Sequence, residues 1–120
     1  MAGQLAAVLG ARDLTTSPST EASAKAAMCG DAGSIDVAEI YAPFTHQHLI
    51  LTEAIGLGSS TKVNPSGGTL AANPMFSAGL ERIGFAARHI FDGSAQRVLA
   101  HATSGAALQQ NLVAVMEGKN

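Results

Sequence analysis

The sequence predicts an α/β protein, a three-layer α/β/α sandwich with helices on both faces of one five-stranded sheet. Three observations lead there. Short apolar runs alternate with segments that carry helix-start signals, in the order strand, helix, strand, helix, strand, helix, strand, strand, and that alternation buries its surface as helices on a sheet. Alanine is abundant while aromatic residues make up only 4% of the chain, which suits helices lying close on a sheet with small residues at the contact. Finally, 120 residues of which 47% are apolar and 13% charged form one domain with a proper core and are too apolar for a disordered chain.

The elements follow in order. The first strand runs from Leu5 to Leu9, a nearly all-apolar segment of the kind covered on both faces. Ser17 and Pro18 supply a cap and first-turn pair for a helix reaching Cys29, with Glu21 near its start. Ile35 to Tyr41 is the second strand, and Pro43 opens a helix through Ile55 that Gly56 ends. Phe44, His48, Leu51 and Ile55 recur at helical spacing and form its buried face. A short third strand covers Thr61 to Asn64. The paired glycines Gly67 and Gly68 then make a turn in which another backbone or a ligand can come close.

Asn73 followed by Pro74 is a strong helix start, since an Asn side chain accepts from free N–H groups and Pro fits at N1. The helix from Pro74 to Phe91 is expected to aim its positive dipole end at an oxygen there. Phe76, Leu80, Ile83, Ala87 and Ile90 give it a sheet-facing stripe, with Glu81, Arg82, Arg88 and His89 on the solvated face. Gln96 to Thr103 and Asn111 to Glu117 are the fourth and fifth strands.

Composition excludes several functions. A net charge of −2 with scattered Lys and Arg gives no basic patch, which excludes nucleic acid as a partner. The single cysteine, Cys29, excludes an internal disulfide, reads as a small buried or half-buried thiol, and together with the lack of a signal peptide points to a reduced, cytoplasmic protein. No apolar run approaches a membrane span. His46 and His48 point in different directions on a helix, and no zinc-type spacing occurs, so no metal site and no resident cofactor is expected. The opening Met1-Ala2-Gly3 reads as the clean start of a domain.

The run Val63-Asn64-Pro65-Ser66-Gly67-Gly68, followed by Ala72-Asn73-Pro74-Met75-Phe76-Ser77-Ala78-Gly79, closely resembles the C-terminal half of the thiolase superfamily, especially its sterol-carrier-type thiolases. That family reads roughly Val-Asn-Pro-Ser-Gly-Gly and then Gly-His-Pro-Leu-Gly-Ala-Ser-Gly, so its active-site His is Asn73 here. Tyr41, in Tyr41-Ala42-Pro43-Phe44, stands where the family places an Asn or His that helps form an oxyanion site; its hydroxyl either donates to an oxygen or lies at the surface as a strand-end Tyr. Phe44 matches a family Phe and is expected in the core. The family's proton-shuttling Cys falls at Ser104 or Gly105, neither of them a thiol, and the N–H groups near Gly105 and Ala106 correspond to its oxyanion donors. A serine hydroxyl is too weak an acid to replace that thiol without a base beside it, and His101 faces the other side of its strand.

The resemblance spans essentially the whole chain. It implies a five-stranded mixed sheet, mostly parallel with one antiparallel strand, and relatedness to acyl-CoA acyltransferases of the acetyl-CoA acetyltransferase type, or to the thiolase-like aldolases that cleave steroid side chains. A CoA thioester is then the substrate or ligand, with Gly67, Gly68, Gly105 and Ala106 beside it. The nucleophilic Cys belongs to the family's N-terminal half, and Cys29 does not match it. The implied partners are a separate N-terminal half and, through the apolar face that such a half would cover, further copies of the chain itself. The alternative is a non-catalytic acyl-CoA-binding or structural module.

Overall fold

The computed structural model describes residues 13–29, 34–105 and 108–119. Their elements are α1 (Pro18–Met28), β1 (Val37–Ile40), α2 (Thr45–Ile55), β2 (Lys62–Val63), α3 (Gly68–Ala71), α4 (Ala78–Phe91), β3 (Arg97–Ser104) and β4 (Gln110–Glu117). The expected strand from Leu5 to Leu9 lies outside the described residues. Those described form one four-stranded sheet in the order β2-β1-β3-β4, where five strands were expected across the whole chain. β1 is parallel to both β2 and β3, and β4 returns antiparallel along β3 with Arg97 opposite Glu117 and Ser104 opposite Gln110.

Helices cover both faces. Alternate residues of β1 and β3 point to opposite sides. Ala38, Ile40 and Leu99 pack with Ala24 of α1 and with Leu51 and Ile55 of α2. Val37, Val98 and Ala100 pack instead with Ala86, Ile83 and Ile90 of α4. A Cβ built on Gly79 would stand 2.9 Å from the Cβ of Ala102, so glycine is what lets the first turn of α4 lie against β3.

Several local expectations are corrected. Asn73 and Pro74 do not start a helix: α4 begins four residues later at Ala78 with Ser77 at its N-cap, and Pro74 instead accepts the Ser77 N–H (3.1 Å) in a turn. No helix dipole therefore ends at Asn73. The glycine turn leads into the short α3, which the sequence pattern did not suggest. The sheet-facing side of α4 is Ala78, Arg82 and Ala86, flanked by Ile83 and Ile90, whereas Phe76 and Leu80 are 102% and 73% exposed. Arg82, expected in solvent, is 2% exposed. Phe44 is the N-cap of α2 and exposed, not core. Ser17 occupies the N-cap of α1, yet its hydroxyl pairs with Thr20 (2.7 Å) rather than with a backbone N–H. Cys29, at the C-cap of α1, is exposed.

Among the described residues no helix is long and apolar enough to cross a membrane.

Candidate functional site: a cleft at the ends of two parallel strands

The segment Val63 to Thr69 is held onto the end of β1 by three side chains. Asn64 adopts a left-handed φ of 51°, a conformation that Asn tolerates better than most residues, and its Oδ1 accepts the Ile40 N–H at 2.7 Å. Thr69 Oγ1 accepts the Ala42 N–H at 2.9 Å. Between them Ser66 reaches the fully buried Glu39, donating from its N–H (3.1 Å) and from its hydroxyl (2.7 Å). Gly68, at φ 60°, closes the turn: a Cβ there would fall 2.7 Å from the Asn64 amide nitrogen. The paired glycines thus serve the loop's own packing.

Glu39 is the centre of a buried polar cluster. Arg82 Nη1 donates to Glu39 Oε2 at 3.0 Å and to Ser66 Oγ at 3.1 Å, and the Gly68 N–H donates to the same hydroxyl at 3.2 Å. The guanidinium also sits 5.2 Å from the centre of the Phe85 ring, within cation–π reach. One carboxylate on β1 and one guanidinium on α4 therefore fix the glycine loop between strand and helix. Neither was singled out as functional from sequence. The available signal was a Glu in an otherwise apolar central strand, Val37-Ala38-Glu39-Ile40, which needs a buried cation to be tolerated.

Beyond the carboxyl ends of β1 and β3 lies a cleft of about 350 Å³, the position where open α/β sheets receive ligands. Tyr41 follows β1 directly and is anchored by its N–H to the His101 carbonyl (3.1 Å); Ser104 ends β3 and Gly105 follows it. Tyr41, Ser104 and Gly105 all line this cleft, with Gln47 from α2 and Met75 and Phe76 from the crossing to α4. Asn73 is exposed and is not part of the lining; Gly67 and Gly68 are likewise outside it; Ala106 lies outside the described residues. Two non-glycine residues of the lining, Met75 and Leu108, have positive φ of 21° and 57°. Backbone of this kind persists only where surrounding contacts enforce it. For Leu108 those contacts are visible: its carbonyl accepts from Ser19 Oγ (2.7 Å) and Asn111 Nδ2 (2.8 Å).

His101 is structural. It is 1% exposed, and its Nε2 meets Asn111 Oδ1 at 2.9 Å. Because the Asn111 amide nitrogen already donates to Ser19 and Leu108, Oδ1 is the acceptor and Nε2 carries the proton. Burial holds this imidazole below its ordinary pKa, the hydrogen bond to Asn111 offsetting part of the effect. It does not reach Ser104, so the serine has no base from this direction. A larger cavity of about 390 Å³ lies between the start of α1 and the end of α2 and contains none of the residues predicted for the site. No group of three metal-ligating side chains occurs among the described residues.

No family model matches the chain, and no curated protein or solved structure matches it.

Proposed function

We propose that this chain is a thiolase-like C-terminal domain that receives the acyl-thioester end of a CoA ester in the cleft beside Tyr41 and Ser104 and does not turn it over by itself. The observation that carries the reading is the convergence of Tyr41, Ser104 and Gly105 on one cleft at the carboxyl ends of parallel strands. A thioester carbonyl needs hydrogen-bond donors at its oxygen, and the Tyr41 hydroxyl, the Ser104 hydroxyl and the Gln47 amide are the donors this lining offers. Met75 and Phe76 offer apolar surface for the chain beyond it.

Chemistry of the thiolase type requires a thiolate to carry the acyl group, a base to activate it and a second acid–base group to move the α-proton. The one thiol of these 120 residues, Cys29, sits at the C-cap of α1 and is absent from the cleft lining. Asn73 cannot act as a base, and Ser104 has no base paired with it. The domain therefore works, in this reading, in the cytoplasm and in company, with a separate N-terminal half that supplies the nucleophile or with further copies of itself. Thiolysis and acetyl-CoA condensation assayed with the purified chain, and with Asn73→His and Ser104→Cys variants, test the catalytic part: no turnover is expected from any of them. Turnover by the unmodified chain that vanishes in Asn73→Ala would overturn it.

A further inference from the structure

Helix α4 is apolar over more of its circumference than the sheet covers. Ala78, Arg82 and Ala86 face the sheet, with Ile83 and Ile90 beside them, yet Leu80, Gly84, Ala87 and Phe91 form a second stripe at spacings of four, three and four. Leu80 is 73% and Phe91 87% exposed, and nothing lies within 4 Å of the position a Gly84 Cβ would take. A spacing of this kind is the seam of a two-helix pair, and large apolar groups left in solvent along such a seam mark a contact surface.

From this we infer that α4 pairs with α4 of a second copy of the chain, antiparallel across a two-fold axis; this does not depend on the acyl-thioester reading of the cleft. Charge and size select this occupant. In the antiparallel register Leu80 meets the partner's Phe91 and Gly84 meets the partner's Ala87, so the bulky ends interleave while the small residues at the crossing let the backbones approach. The same register sets Glu81 beside the partner's Arg88, and by symmetry Arg88 beside the partner's Glu81, so one flank of the seam carries two pairs of opposite charges, while on the other flank Ile83 and Ile90 pack against the chain's own sheet. A parallel pair would oppose like residues and lose that match. A 14-residue helix is about 21 Å long, and one such seam falls short of the roughly 800 Å² per partner of a standard interface, so the dimer dissociates in the micromolar range or above.

Sedimentation equilibrium of the full chain from about 1 μM to about 1 mM tests this. The wild type is expected to pass from monomer to dimer within that range. Gly84→Arg is expected to weaken dimerisation by about a hundredfold or more by placing a charge in the desolvated seam, with circular dichroism unchanged and the melting temperature not lowered, because open space surrounds the site and arginine is the better helix former. Arg88→Glu alone should weaken dimerisation about tenfold, and Glu81→Arg with Arg88→Glu should restore it. A chain that stays monomeric up to about 1 mM, a dimer indifferent to Gly84→Arg, or a double reversal no better than the single would overturn the inference.

Discussion

Replacing Arg82 by Met removes the guanidinium from the Glu39 cluster while filling much of the same volume. Glu39 is 0% and Arg82 2% exposed, so the carboxylate left behind has almost no access to water and keeps only the two bonds from Ser66. Breaking a buried pair by deleting one partner costs about 3–5 kcal/mol, because an uncompensated charge remains. For a chain of 120 residues that corresponds to a fall in melting temperature of roughly 10–20 °C. Urea unfolding followed by circular dichroism measures the loss directly. Adding Glu39→Gln to Arg82→Met removes the stranded charge and keeps an acceptor for Ser66, so the double variant should regain about 2 kcal/mol. If Arg82→Met costs less than about 1 kcal/mol, or if the second substitution adds to the damage, the ion pair is not what holds the glycine loop between β1 and α4.

His101 gives a pH dependence with a defined sign: its folded pKa lies below the unfolded one, so the unfolded chain binds the extra proton first and stability falls as pH drops below about 6.5, by at most about 1.4 kcal/mol per pH unit. His101→Gln should flatten that slope, as read from urea midpoints at several pH values. A separate decline at lower pH follows from Asp36, whose carboxylate accepts the Arg97 and Gln96 N–H groups and titrates below its ordinary value; its stabilisation is lost as pH falls through that depressed pKa. Gly79→Ala should cost about 1–3 kcal/mol by forcing its Cβ against Ala102, and Ala102→Gly in the same chain should recover part of it; a neutral Gly79→Ala would show that α4 can shift away from β3 without penalty.

The strand–helix alternation was legible because each apolar run is bounded by turn residues, and the sheet follows from it. The ends of elements were less so. Asn73-Pro74 has the chemistry of a helix start, but Gly79 must lie against Ala102, which places the first turn of α4 later and leaves residues 72–77 to cross from α3. The stripe through Phe76 and Leu80 misled for a related reason. A helix with an apolar arc wider than one face has a clear period, yet the period does not say which part of the arc the sheet covers. Arg82 lies inside the covered part, where Glu39 across from it pairs its charge. Of the site, Tyr41 and Ser104 are picked out by resemblance to the thiolase pattern, and the structure brings them to one cleft because they stand at the carboxyl ends of parallel neighbouring strands. Asn73, placed by a helix start that does not form, is not in that cleft.

The proposed function requires the cleft at the ends of β1 and β3 to hold an acyl thioester. The most direct measurement is a titration of the ¹⁵N-labelled chain with acetyl-CoA, following backbone amide shifts. Saturable shifts centred on Tyr41, Gln47, Ser104 and Gly105, abolished by Ser104→Trp at the cleft wall, are the predicted result. Shifts confined to the cavity between α1 and α2, or none that saturate, would contradict it.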